Sequence, residues 1–120
     1  MDPLQHMFDL QKEFEKRWFD FKSMSEDDKQ HLAIEFIGHI QEELAEVRQE
    51  LPLRKHWKKG GEVNIRKLKL ELVDVLHFFI TVCLIFDLNA TDIYDTFIKK
   101  HDINNKRQDE WGYGKDKKKL

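Results

Sequence analysis

Residues 68–88 read LKLELVDVLHFFITVCLIFDL, a long apolar run interrupted by two carboxylates, Glu71 and Asp74. Below its first two turns the segment from about Asn64 to Asp87 is apolar almost all round, the pattern of a central bundle helix or a dimer seam. An ionised carboxylate in such surroundings is costly, so it must be paired, neutralised or bound to a metal. Residues three apart on a helix point nearly the same way, so Glu71 and Asp74 aim at one spot. Phe78 continues their strip and is a further candidate for substrate contact. His77 is offset from the strip and reads as core or as a neighbour of the site rather than a ligand. Lys69, Glu71, Asp74, His77 and Asp87 break the run too often for a membrane span.

A matching acidic pair lies upstream in QEELAEV, residues 41–47. The second helix starts after Ser23–Asp28, where Ser25 suits a cap and acids fill the first turn, and it runs to about Leu51 before Pro52. Its core stripe is Ala33, Phe36, Ile37, Ile40, Leu44, Val47 and Leu51. At ~100° per residue, Glu43 and Glu46 fall on the flank of that stripe, whereas Glu42 points away. Four carboxylates from two helices, without a thiolate, make an all-oxygen site that suits magnesium, or manganese, better than zinc. Magnesium shares its shell with phosphates, and Lys55, Lys58, Lys100 and Arg107 are candidates to offset the phosphate charge. No P-loop or Gly-rich cradle is present, so the helices themselves must supply the site.

The chain has 120 residues and a net charge of −2, which describes one domain with no global field for nucleic acid. With 37% charged residues its core is thin, and a second copy would complete it. Cys83, the single cysteine, sits in the apolar run and reads as core in a reducing compartment. The opening MDPLQHMFDL lacks a basic start followed by an apolar block, so a cytoplasmic location is expected. From Pro3, apolar residues recur at Leu4, Met7, Phe8, Phe14, Trp18 and Phe21, a helical spacing. The stripe passes through Gln11, whose amide either is satisfied at a helix seam or faces a pocket.

Residues 52–63, PLRKHWKKGGEV, are a loop in which Trp57 stands among Arg54, Lys55, Lys58 and Lys59. It either packs under snorkelling lysines or offers a stacking surface for a base. A break at Asn89–Thr91, with Thr91 as cap, precedes a fourth helix from Asp92 that fades around Lys106. The remainder, about 107–120, is a tail or a segment that covers a site.

These residues carry a resemblance. EELAE at 42–46 followed by ELVD at 71–74 resembles the EExxE…ExxD pattern of the all-α nucleoside triphosphate pyrophosphohydrolases, which include MazG-like enzymes and dimeric dUTPases. FDLQKEF at 8–14 resembles the dimeric dUTPase opening, RKHW at 54–57 its FKxW stretch, and ELVDVLHFF at 71–79 its ExVDxLHF run. KHDINNKRQDEWGY at 100–113 resembles KNxxNxxRQxxGY. His101 replaces the usual asparagine, Arg54 replaces an aromatic, and the spacing before Tyr113 is one residue longer. The chain is also shorter than typical dimeric dUTPases.

The resemblance implies an all-α, four-helix bundle-like fold that pairs as a homodimer. It implies hydrolysis of dUTP to dUMP and diphosphate, with Glu43, Glu46, Glu71 and Asp74 holding magnesium and Glu46 orienting or deprotonating the attacking water. Gln11 and Trp57 would recognise uracil, with Lys55 also at the nucleotide, and Lys100, Asn104, Arg107 and Tyr113 would contact phosphate and sugar. A dCTP-type or MazG-like specificity stays open. So do a helical interaction module with salt-bridged acidic strips, and a di-iron protein built on Asp74-x-x-His77.

Overall fold

Asp2 starts the first helix: its side chain accepts hydrogen bonds from the backbone N–H groups of Leu4 and Gln5 at 3.0 and 3.2 Å, and Pro3 occupies the first turn. The computed structural model describes residues 2–52 and 61–111. Four α-helices and no strands are found among them: α1 Pro3–Glu15, α2 Glu26–Gln49, α3 Ile65–Ile85 and α4 Ala90–Trp111. The first three belong to one compact unit, Met1–Leu88, and α4 to a second, Asn89–Leu120.

Helix α1 stops at Glu15, earlier than the apolar spacing through Trp18 and Phe21 predicts. The N–H of Trp18 turns back onto the Glu15 carbonyl at 3.0 Å, tightening the chain out of the α-helix. Trp18 is left exposed under the Arg17 guanidinium, 5.5 Å from its ring centre. Phe21 enters a single 3₁₀ turn, Phe21–Ser23, where its ring stacks on Phe19 at 5.7 Å, and Phe19 meets Phe36 of α2 edge-on. Aromatic packing across the turn thus takes residues that a continuing helix would have aligned along one stripe.

Ser25 caps α2 by accepting from the N–H of Asp28 at 3.1 Å, and Glu26, Asp27 and Asp28 sit in its first turn, where the helix dipole favours anions. Asn64 caps α3 in the same way, through the N–H of Lys67 at 3.2 Å. Lys67 also pairs with Glu50 at 3.2 Å, tying the start of α3 to the end of α2. Helix α3 packs against both α2 and α1 and is the central helix of this unit. Its end is a Schellman turn: Leu88 N–H bonds to the Cys83 carbonyl at 2.9 Å and Asp87 N–H to the Leu84 carbonyl at 3.1 Å. Asp87 takes the left-handed position, with φ 57°.

The fully buried apolar side chains of this unit are few among the described residues: Phe8, Ala33, Ile80, Cys83 and Ile85. Cys83 is core, as expected. The α2 stripe is less covered than its pattern suggests, since Ile37 and Leu44 are 44% and 45% exposed.

In the second unit Asn89, not Thr91, caps the helix. Its side-chain oxygen accepts from the N–H of Asp92 at 2.8 Å, while Asp92 Oδ2 accepts from the N–H of Asn89 at 3.0 Å. This reciprocal pair outcompetes the hydroxyl two residues on. Helix α4 also continues past Lys106 to Trp111, helped by a Lys106–Asp102 pair at 3.3 Å one turn apart. No described helix is long and apolar enough to cross a membrane.

Candidate active site

The i,i+3 spacing of Glu43 and Glu46 puts both on the side of α2 that meets Glu71 of α3. Carboxylate oxygens of Glu43, Glu46 and Glu71 lie within 4.8 Å of one another. Glu46 is exposed, whereas Glu43 and Glu71 are half-buried, and each keeps one oxygen, Oε2, shielded from solvent with no hydrogen-bond partner. Asp74 is exposed and stands outside this tight trio, but close enough for its charge to act on Glu43. Glu42 is solvated, 3.7 Å from His39.

Crowding of like charges shows in the proton affinities. The adjacent Glu46 carboxyl, then burial, then the charges of Glu46 and Glu43 push the Glu71 carboxyl up to about 7. Burial, with the charges of Glu46 and Asp74, also raises Glu43. The ion pairs among the described residues are Lys16–Glu13, His39–Glu42, Lys67–Glu50 and Lys106–Asp102, and none reaches the trio or Asp74. The acidic strips are therefore not salt-bridged within the described residues, as a plain interaction module would require. Shielded, partnerless carboxylate oxygens converging from two helices fit a hard divalent cation.

Two turns further along α3, Phe78 is half-buried in an aromatic cluster, stacked on His39 at 5.4 Å and tilted against Phe36 at 5.9 Å. Gln11 of α1, 7% exposed, bonds to this same helix. Its Nε2 donates to Glu15 Oε1 at 3.1 Å and to Thr81 Oγ1 at 3.0 Å, and its Oε1 lies 3.0 Å from His77 Nδ1. Thr81, wholly buried, also reaches Glu15 Oε1 at 3.2 Å and the His77 carbonyl at 3.1 Å. His77 is exposed rather than core. Glu15 and Thr81 escape a reading of the sequence, one lying in a charged stretch and the other in an apolar run. The only hint is the pair of i,i+4 spacings, Gln11 to Glu15 and His77 to Thr81.

A family model described as dUTPase matches residues 3–89. The chain belongs to the all-α dUTPase family. No curated protein and no solved structure matches it. Membership of the dUTPase family supports a dUTP/NTP pyrophosphatase-like activity, and the family is generally dependent on divalent metal. The match takes in Gln11, both acidic motifs and Phe78, and ends before α4. On that helix Lys100, Asn104 and Arg107 are exposed, and their spacing places them on one face. Lys55, Trp57, Lys58 and Tyr113 lie outside the described residues.

Proposed function

We propose that this chain is a magnesium-dependent dUTP pyrophosphatase, converting dUTP and water to dUMP and diphosphate. The observation that carries the reading is the convergence of Glu43, Glu46 and Glu71 with two shielded carboxylate oxygens that lack any partner. Glu43, Glu46, Glu71 and Asp74 would hold the metal, magnesium or, in its place, manganese. Bound there, a divalent ion would polarise phosphoryl oxygens and neutralise their charge.

The chain's own groups do the rest. Glu46, the exposed member of the trio, would orient the attacking water or take its proton, since it alone of the three is open to solvent. Gln11 and Trp57 would read and stack the base, and Phe78 would contact it. Lys55, Lys58, Lys100 and Arg107 would offset phosphate charge, and Asn104 and Tyr113 would meet sugar and phosphate. Along α3 the six residues from Glu71 to His77 rise about 9 Å, a separation that lets one nucleotide present phosphates to the acidic trio and its base to the Gln11 region.

The test is a panel of nucleoside triphosphates with magnesium, assayed for diphosphate against single phosphate release. Diphosphate release fastest with dUTP is expected. Preference for dCTP would replace the substrate, and release of single phosphate from all of them would remove the reading. Trp57→Ala should weaken dUTP binding, and unchanged affinity would return Trp57 to a packing role. Ile34, Ile37 and Leu44, large apolar side chains exposed on one side of α2, support pairing of two copies as a homodimer.

A further inference from the structure

Which way the Gln11 amide faces is decided by its neighbours. A carboxylate oxygen only accepts, so Glu15 Oε1 demands the NH₂ end, and Gln11 Nε2 sits 3.1 Å from it. The second N–H of that group is spent on Thr81 Oγ1 at 3.0 Å. The amide oxygen therefore faces His77, and because it accepts, His77 Nδ1 at 3.0 Å must carry the proton. Both Gln11 donors are used, and what remains is one lone pair on Oε1.

Glu15 is 5% exposed and has no basic partner among the described residues. Burying a carboxylate merely to satisfy an amide is a costly arrangement when a neutral glutamine would also bond it. A glutamine, however, can both donate and accept, and would let the Gln11 amide turn over. Only a group that accepts and never donates gives the amide one direction.

We propose that Glu15, helped by Thr81, is a positioning residue for base recognition: it locks Gln11 with its carbonyl oxygen presented, so that the base must bring a hydrogen-bond donor. The inference rests on the reading of Gln11 as the base contact. Uracil meets the requirement with its N3–H, whereas cytosine carries a lone pair at N3 and is repelled there. Freed from Glu15, the amide turns over and offers an N–H that suits cytosine N3.

Two measurements test this. In the unaltered protein, ¹⁵N-resolved NMR of the His77 ring should show the Nδ1–H tautomer, and an Nε2–H tautomer overturns the lock. In kinetics, Glu15→Gln should lower the dUTP-over-dCTP ratio of kcat/KM about tenfold, the worth of one hydrogen bond. The loss should fall on KM, with the magnesium dependence unmoved. Glu15→Asp, which still only accepts, should recover part of the ratio. Should Glu15→Gln not fold, Thr81→Val carries the same expectation, because it removes the second anchor of the NH₂ group. A ratio retained in Glu15→Gln but lost in Gln11→Ala overturns the positioning role and leaves the base contact intact. A ratio retained in both overturns the base contact and the positioning role together.

Discussion

At the scale of single residues, Glu71 concentrates the chemistry. Glu71→Gln removes one of three crowded carboxylates, and turnover should fall by more than the roughly 10–100-fold typical of losing a group that merely supports a metal ligand. The same variant should match or exceed the parent in thermal stability when metal is chelated, because a repulsion is gone. Near-normal hydrolysis would show that Glu71 holds no metal. Proton linkage gives a second expectation. Glu71 binds its proton more tightly in the folded chain, at about 7 against an ordinary value near 4.5, and Glu43 is raised in the same direction. The Glu71 contribution to stability is then complete below about pH 4.5 and is lost as pH rises through about 7, and the Glu43 contribution is lost in the same direction, as pH rises. Chelated protein melted at pH 5 and pH 8 should lose more stability over that interval than Glu71→Gln does, and equal losses would contradict the linkage. These carboxylates were legible because i,i+3 spacing is local and helical geometry converts it into a direction. Glu15 and Thr81 were not, because their meeting depends on α1 lying against α3, 66 residues apart along the chain.

Helix boundaries show where reading by pattern fails. The starts of α2 and α3 carry their own cap chemistry in Ser25 and Asn64, and such signals sit within four residues of where they act. The end of α1 does not: Trp18 and Phe21 keep helical spacing, and only the aromatic contacts of Phe19 with Phe21 and Phe36 show why the helix stops. Thr91 and Asn89 both look like caps, and the reciprocal bond with Asp92 decides between them. The Schellman turn after α3 yields a prediction of its own. Asp87 holds φ 57° without being glycine, a conformation that costs an L-residue about 1 kcal/mol. Asp87→Gly should therefore stabilise the protein by about 0.5–1 kcal/mol in urea unfolding, less what glycine gains in the unfolded chain. A destabilised variant would mean that the Asp87 side chain contributes something beyond the turn.

For the molecule as a whole, the all-α class was legible in the helical spacing of the apolar residues and in the family resemblance together. The central position of α3 likewise follows from a helix apolar nearly all round. A thin core was expected from the charged composition, but not which stripe residues stay uncovered: Ala33 alone of the α2 stripe is buried, and Ile34 and Leu70 remain 66% and 62% exposed. Sequence shows which residues are apolar but not whether their partner comes from the same chain. Sedimentation equilibrium should give twice the chain mass, and a monomer at all concentrations would refute the pairing. The sparse interior of Phe8, Ala33, Ile80, Cys83 and Ile85 has a practical corollary. If much of the protein's cohesion is shared between copies, its melting temperature belongs to the solution as much as to the polypeptide, and a dilute sample should unravel several degrees before a crowded one.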